Sequence, residues 1–433
     1  MLDIKKNKEK VFLVGVIYAD EKREHYLESM EELKQLAITA NTEIVDLYVQ
    51  SLPRPNTATY IGKGKIAEIA ARAKAEEVST LVFNNNLSPS QSRNISDLTG
   101  CNVVDRTEII LDIFAKHART KQAKLQVELA QLEYNYTKLK NLWKHLSRIQ
   151  GGIGFRGPGE TQIEIDRREI RKRTTFLKQK LIELDRVSET KRKNREDFIS
   201  ISLVGYTNAG KSTLFNKLTD EKRYVADQLF ATLDSKTRSL KGYHEQDIVL
   251  TDTIGFIRRL PHRLVKSFHT TLTEVVEADL LLHVVDVSHS NLEELIAAVE
   301  NVLVEIGADD LDTLMVFNKC DLQESKYFKF TKKRLLSTYR HCVFISAETG
   351  YGLDELDQKI AEFIDKKGKT TILKIPLQLP KLISYIHENA EVICEDIDEV
   401  NEVQIVEIKI DRQILDNIKK QIKKYEIEKY INN

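Results

Sequence analysis

Residues 205–212 read GYTNAGKS, directly after the apolar run ISLV and shortly before LFNKL. That G-x-x-x-x-G-K-S spacing between a strand and a helix is among the most restrictive local patterns a chain can carry. The glycines let backbone N–H groups wrap a polyphosphate, Lys211 reaches the β- and γ-phosphates, and the Ser212 hydroxyl can ligate Mg²⁺. Gly205, Tyr206, Thr207, Asn208, Ala209, Gly210, Lys211, Ser212 and Thr213 are therefore candidate nucleotide-binding residues. Such a loop sits at the carboxyl end of a strand in an open parallel sheet, so it also constrains the fold around it.

The flanking sequence meets that demand. From Phe198 to about Lys367, ISLVG, IVLTDT, DLLLHVVDV, DTLMVFNK and CVFIS read as near-continuously apolar strands separated by helical stretches, which predicts a doubly wound, mostly parallel sheet. Forty residues after Ser212, DTIG supplies Asp252, Thr253, Ile254 and Gly255 at a strand end. There the aspartate helps hold Mg²⁺ through water and the glycine N–H meets the γ-phosphate. FATLD (Phe230, Ala231, Thr232, Leu233, Asp234) places Thr232 twenty residues after Ser212, as a second hydroxyl ligand of Mg²⁺; Thr237 and Thr219 are its rivals. NKCD (Asn318, Lys319, Cys320, Asp321) ends a further strand. A carboxylate there accepts from guanine N1–H and N2–H₂, donors that adenine lacks, while the lysine stem covers the base, so the pocket selects GTP over ATP. Ser346, Ala347 and Glu348 follow CVFI, with backbone N–H groups for the guanine oxygen.

Outside this segment the chain is mixed. Its 433 residues are 41% apolar, enough for several cores and about three domains. No run is long and apolar enough for a membrane span, and the charged N-terminus predicts no secretory signal. The four cysteines (101, 320, 342 and 394) are scattered without CxxC pairing, which argues against zinc and fits a reducing compartment. Residues 1–106 alternate short strands and helices, a small α/β domain. Thr107 is expected to cap a long helix whose Leu125, Leu129, Leu132, Tyr136, Leu139, Trp143 and Leu146 form an a/d seam. Its partner carries Ile163, Ile170, Leu177, Leu181 and Leu184, making an antiparallel helical hairpin over 107–196, with linker, and a glycine-rich tip at 151–160. The G domain spans 197–368, and 369–433 form a small α+β domain.

Lys+Arg and Asp+Glu balance at 66 each, so no partner follows from global charge. Between Ala115 and Gly159, however, nine basic residues face two acids. Arg156 in a tip made of Gly151, Gly152, Gly154, Gly157 and Gly159, with Lys138, Lys140, Lys144 and Arg148 along the stalk, suits a narrow RNA cleft and its phosphates. A flexible turn with charged flanks is the alternative, and a phosphate site in this loop or in YIGKGK (Tyr60–Lys65) is a third reading.

The central motifs resemble those of translation-factor-like GTPases. The whole chain resembles the HflX family through YIGKGK, FNNNLSPSQSRNI, DRTEIILDIFAKHARTKQAKLQVELAQLEY, GGIGFRGPGETQIEIDRR and DTIGFIRRLPH. That resemblance implies a cytoplasmic GTPase that binds the large (50S) ribosomal subunit and its rRNA, is stimulated by it, and in some members separates the subunits of stalled ribosomes. Peripheral association with a membrane stays open, and a monomer is expected. Phe256 stands where Ras-like enzymes carry the water-orienting glutamine, leaving Lys211 and Gly255 as the catalytic candidates and predicting slow intrinsic hydrolysis. Asn208 matches the asparagine of potassium-dependent relatives and equally suits a plain loop turn. Two other functions compete: a ribosome-binding factor that GTP merely stabilises, and ATP-driven RNA remodelling by the N-terminal domain.

Overall fold

The computed structural model describes residues 8–18, 23–149, 158–193, 198–219, 229–230, 232–233, 235–240, 248–258, 269–322, 325–367, 369–398, 402–410, 414–415, 417–418 and 421–422. Contacts divide the chain into two compact units, 1–350 and 351–433.

The N-terminal sheet comprises β1 (Glu9–Tyr18), β2 (Thr42–Leu52), β3 (Thr80–Phe83) and β4 (Asn102–Asp105), all parallel, in the order β2-β1-β3-β4. Central β1 is buried on both faces, as its run VFLVGVI requires. One face packs under α1 (Arg23–Thr39), where Tyr26, Met30, Leu33 and Leu36 are buried; the other packs under α2 (Lys63–Glu76) and α3 (Pro89–Thr99). Helix α3 was not anticipated from SPSQSRNI, although Ser88 and Gln91 form a reciprocal capping box and Pro89 occupies the first turn.

Two expectations for the next segment need correction. Asp105, not Thr107, caps α4 (Arg106–His117), because its carboxylate accepts from Glu108 N while Glu108 reaches back to the Asp105 N–H. The long helix is also interrupted. Ala118 turns extended, and the Thr120 hydroxyl accepts from Ala123 N at 3.1 Å to start α5 (Lys121–Ile149) afresh. Helix α6 (Pro158–Lys193) returns alongside α5. Leu129, Leu177 and Leu181 are buried in the seam beside Leu125 and Leu132, and Arg173 pairs with Glu128 across it.

The G-domain sheet contains β5 (Ile199–Gly205), β6 (Lys236–Leu240), β7 (Ile248–Asp252), β8 (Leu280–Asp286), β9 (Thr313–Asn318) and β10 (Cys342–Phe344). Its order is β10-β9-β8-β5-β7-β6, parallel except for β6 at one edge. The chain reverses direction of winding at β5, so the crevice beyond its carboxyl end is the expected ligand position.

Both loops that flank this crevice rest on the N-terminal domain. Leu229, Phe230, Leu233, Ile254 and Ile257 share one core with Ile109, Ile110 and Phe114, and the Phe114 and Phe230 rings meet edge-on at 4.7 Å. Beside them Arg106, 2% exposed, pairs with Glu32, which also accepts from Tyr206 Oη. Arg258 extends the network to Glu28 (3.0 Å) and Glu294 (2.9 Å). Removing one partner of such a buried pair strands the other charge. Glu32→Ala is therefore expected to cost about 3–5 kcal/mol of stability. Chemical denaturation checks this, and an unshifted midpoint would show that the buried pair contributes little to stability.

The second unit contains a helix (Leu353–Lys367), an antiparallel sheet of Lys369–Pro376, Val403–Ile410 and Glu391–Asp398 in that spatial order, and a helix (Pro380–Asn389). Leu373, Ile375, Leu382, Ile386, Val406 and Ile408 form its core. No helix among the described residues is long and apolar enough to cross a membrane.

Candidate functional site

Strand β5 ends at Gly205, whose φ of 148° and position 2.2 Å (for an added Cβ) from the Val284 carbonyl oxygen exclude any side chain. The loop then turns through two left-handed residues, Asn208 (φ 61°) and Gly210 (φ 92°), before α7 (Lys211–Leu218) begins. Successive amides in such a turn point toward a common centre, the geometry that binds an anion. Asn208 is exposed and tolerates the left-handed region because it is asparagine.

The DTIG loop is fastened to this turn from the other side. Thr207 N–H donates to the Phe256 carbonyl (2.7 Å), and Phe256 N–H donates to Gly205 O (3.1 Å). The Phe256 ring itself is buried among Val204, Leu272 and Val275. Lys211 Nζ donates to the carbonyls of Gly205 (3.0 Å) and Tyr206 (2.7 Å). Burial pushes this ammonium down to about 8, and the Asp252 carboxylate opposes the shift.

Three oxygens converge beside it. Ser212 Oγ and Thr232 Oγ1 donate to Asp252 Oδ2 at 2.8 and 2.9 Å and lie 2.9 Å from each other. Asp252 Oδ1 is buried without a hydrogen-bond partner, and desolvation pushes the carboxyl upward. One carboxylate, two hydroxyls and an unsatisfied oxygen fit Mg²⁺, which takes few protein ligands and completes its shell with water and phosphate. Among the described residues no cluster of His, Cys, Asp and Glu offers an all-protein metal cage. The rival threonines are elsewhere: Thr219 Oγ1 bonds Phe215 O, and Thr237 meets Thr251. Thr253 Oγ1 donates to Leu203 O, and Ile254 packs into the N-terminal core. Ala231 and Asp234 lie outside the described residues.

At the base end, Asn318 joins three motifs, donating to Ala209 O and accepting from Ala347 N, both at 2.9 Å. Ala347 N–H is thereby spent, which corrects its expected use toward the guanine oxygen. Lys319, left-handed at φ 64°, pairs with Asp286 at 2.8 Å. Cys320 is buried with its N–H on Ile345 O, whereas Asp321 and Glu348 are exposed. Ser346 Oγ accepts from Thr349 N.

The stalk residues fare differently. Lys138 is tied to the N-terminal domain, 2.6 Å from Glu108 and 3.7 Å from Asp105, so its ammonium is committed there and not to a phosphate. The side chains of Lys140, Lys144 and Arg148, and Gly151, Gly152, Gly154, Arg156 and Gly157, lie outside the described residues; Gly159 is in the first turn of α6. In YIGKGK, Gly62 N–H is taken by Gln50 and Lys65 by Glu68, which does not favour a second phosphate site there. The Tyr206, Glu32, Arg106 and Arg258 network went unread in the sequence. Tyr206 and Glu32 stand 174 positions apart, and no local pattern pairs them.

Fold and site together define a P-loop GTPase. Three family models match in succession: "GTP-binding GTPase N-terminal" at 27–115, "GTP-binding GTPase Middle Region" at 117–195, and "50S ribosome-binding GTPase" at 200–319. The chain is 42% identical over 401 residues to GTPase HflX of Caldanaerobacter subterraneus subsp. tengcongensis, covering 92% of this chain and 91% of that one. It is 42% identical over 382 residues to GTPase HflX of Escherichia coli, covering 88% of each. A GTP-binding protein from Sulfolobus solfataricus, crystallised with GDP, matches with a TM-score of 0.45 at 28% identity, over 82% of this chain and 98% of that one. The chain belongs to the HflX family of GTPases.

Proposed function

We propose that this GTPase works on the large ribosomal subunit, which stimulates its GTP hydrolysis, and that it splits or rescues stalled ribosomes under stress. The observation that carries the reading is Phe256. Its ring is locked in the G-domain core where a water-orienting side chain would stand, so fast hydrolysis needs a contribution from outside the nucleotide pocket. The match to a family model described as a 50S ribosome-binding GTPase supports the large subunit as the source of that contribution.

The chain's own residues divide the work. Amides of 207–213 and the Lys211 ammonium hold the β- and γ-phosphates, and Gly255 N–H faces the γ-phosphate. Ser212 and Thr232, together with Asp252, would hold Mg²⁺. A bound ion would supply charge neutralisation for the phosphate oxygens. Asp321 reads guanine, Lys319 covers it, and Asn318 holds the loops around it. Asn208 is the candidate K⁺ ligand, with a plain loop turn as the alternative role. The hairpin, with Arg156 at its tip and Lys140, Lys144 and Arg148 along its flank, contacts rRNA, and the protein acts in the cytoplasm as a monomer. Replacing 151–159 by a short linker is expected to leave GTP binding intact and to abolish stimulation by 50S subunits. Full stimulation of that variant in a phosphate-release assay would reduce the loop to a turn.

A further inference from the structure

Among the described residues, the buried polar side-chain atoms without a hydrogen-bond partner include two in the G domain: Asp252 Oδ1 and Thr207 Oγ1. Both flank Lys211. A Cβ placed on Gly255 would lie 3.0 Å from Lys211 Nζ, 2.8 Å from Thr207 Cγ2 and 2.9 Å from Thr207 Cα, so the three residues converge on one point. Thr207 is 7% exposed and its backbone is fixed by the bond from its N–H to Phe256 O. A buried hydroxyl rarely goes unpaired in a folded protein, and when it does a ligand or a water commonly supplies the partner. The Asp252 oxygen is accounted for by the metal site; the Thr207 hydroxyl is not.

We propose that Thr207 Oγ1 touches the reacting groups, accepting a hydrogen bond from the attacking water and donating its own to a γ-phosphate oxygen. It thereby supplies part of the orientation that the immobilised Phe256 side chain does not give. In that step the water oxygen bonds to the γ-phosphorus and the bond from that phosphorus to the β,γ-bridging oxygen breaks. The water proton passes to a phosphate oxygen, and GDP and inorganic phosphate leave. The hydroxyl keeps its own proton and acts by position, as other preorganised donors do. The assignment rests on the phosphates lying at Lys211.

The test is GTP turnover by the full-length protein, alone and with 50S subunits, together with GDP affinity, for Thr207→Val, Thr207→Ala and Thr207→Ser. Valine keeps the methyl that packs on Gly255 and removes the hydroxyl; serine does the reverse. The expected result is a fall in kcat of about a hundredfold for valine and alanine, with KM and GDP affinity held within about threefold, and recovery to within about tenfold for serine. Turnover by the valine variant within about threefold of wild type overturns the proposal. So does a loss of GDP affinity as large as the loss of turnover, which would make the hydroxyl a ground-state contact. Undiminished turnover by Lys211→Ala would instead remove the phosphate placement itself, a result distinct from either.

Discussion

Lys211→Ala is expected to eliminate measurable GTP turnover and to weaken GDP and GTP binding by about a thousandfold. The ammonium is fully enclosed, bonded to two carbonyls of its own loop and opposed by Asp252. With nucleotide bound it exchanges those carbonyls for phosphate oxygens, and the charge developing on the γ-phosphoryl group makes it worth more in the transition state than before it. Truncating one partner of a desolvated charge pair typically costs about 2–5 kcal/mol, and about 4 kcal/mol corresponds to the thousandfold quoted. Fluorescent-nucleotide titration and a phosphate-release assay read both effects. Turnover within about tenfold of wild type would place the phosphates elsewhere.

Asp321→Asn is expected to lower GTP affinity by about a hundredfold while leaving the fold intact. Asp321 is exposed in the turn Cys320–Leu322, so the change in stability stays within about 0.5 kcal/mol. What it loses is a charged acceptor for two guanine donors. Hydrogen bonds to charged groups contribute about 1.5–3 kcal/mol, which gives the hundredfold. An amide in its place can donate to the second carbonyl of xanthine, so xanthosine triphosphate is expected to compete where GTP no longer does. Tight GTP binding by this variant, with xanthosine triphosphate still excluded, would mean that the base is read by another residue.

Local signals carried much of the fold. The P-loop was readable because a strand, a glycine turn and a helix are all specified within a few residues, and the apolar strands of the G domain because each is buried on both faces. The convergence of Ser212, Thr232 and Asp252 was readable in part, since motif order located two of the three and spacing ranked the third. Three things escaped. Thr120 restarts the helix after His117 by side-chain capping, a contest between two adjacent caps that heptad counting does not see. The Asn318 side chain is used within the protein at both ends, which only three-dimensional proximity to Ala209 and Ala347 reveals. The bridge through Glu32, Tyr206 and Arg106 links helices and loops far apart in sequence, and isolated glutamates carry no mark of a future buried partner. Lys138 illustrates the converse, since a basic residue on a basic helix invites an RNA reading until Glu108 and Asp105 prove to hold it.

GTP turnover measured with increasing 50S subunits, in potassium and then in sodium buffer, addresses the central claim most directly. The account predicts a low free rate that rises by at least about tenfold as subunits saturate the protein, because the locked Phe256 leaves the attacking water without its usual side-chain partner. A rate indifferent to ribosomal subunits in both salts would contradict it, and would leave a nucleotide-stabilised binding factor in its place.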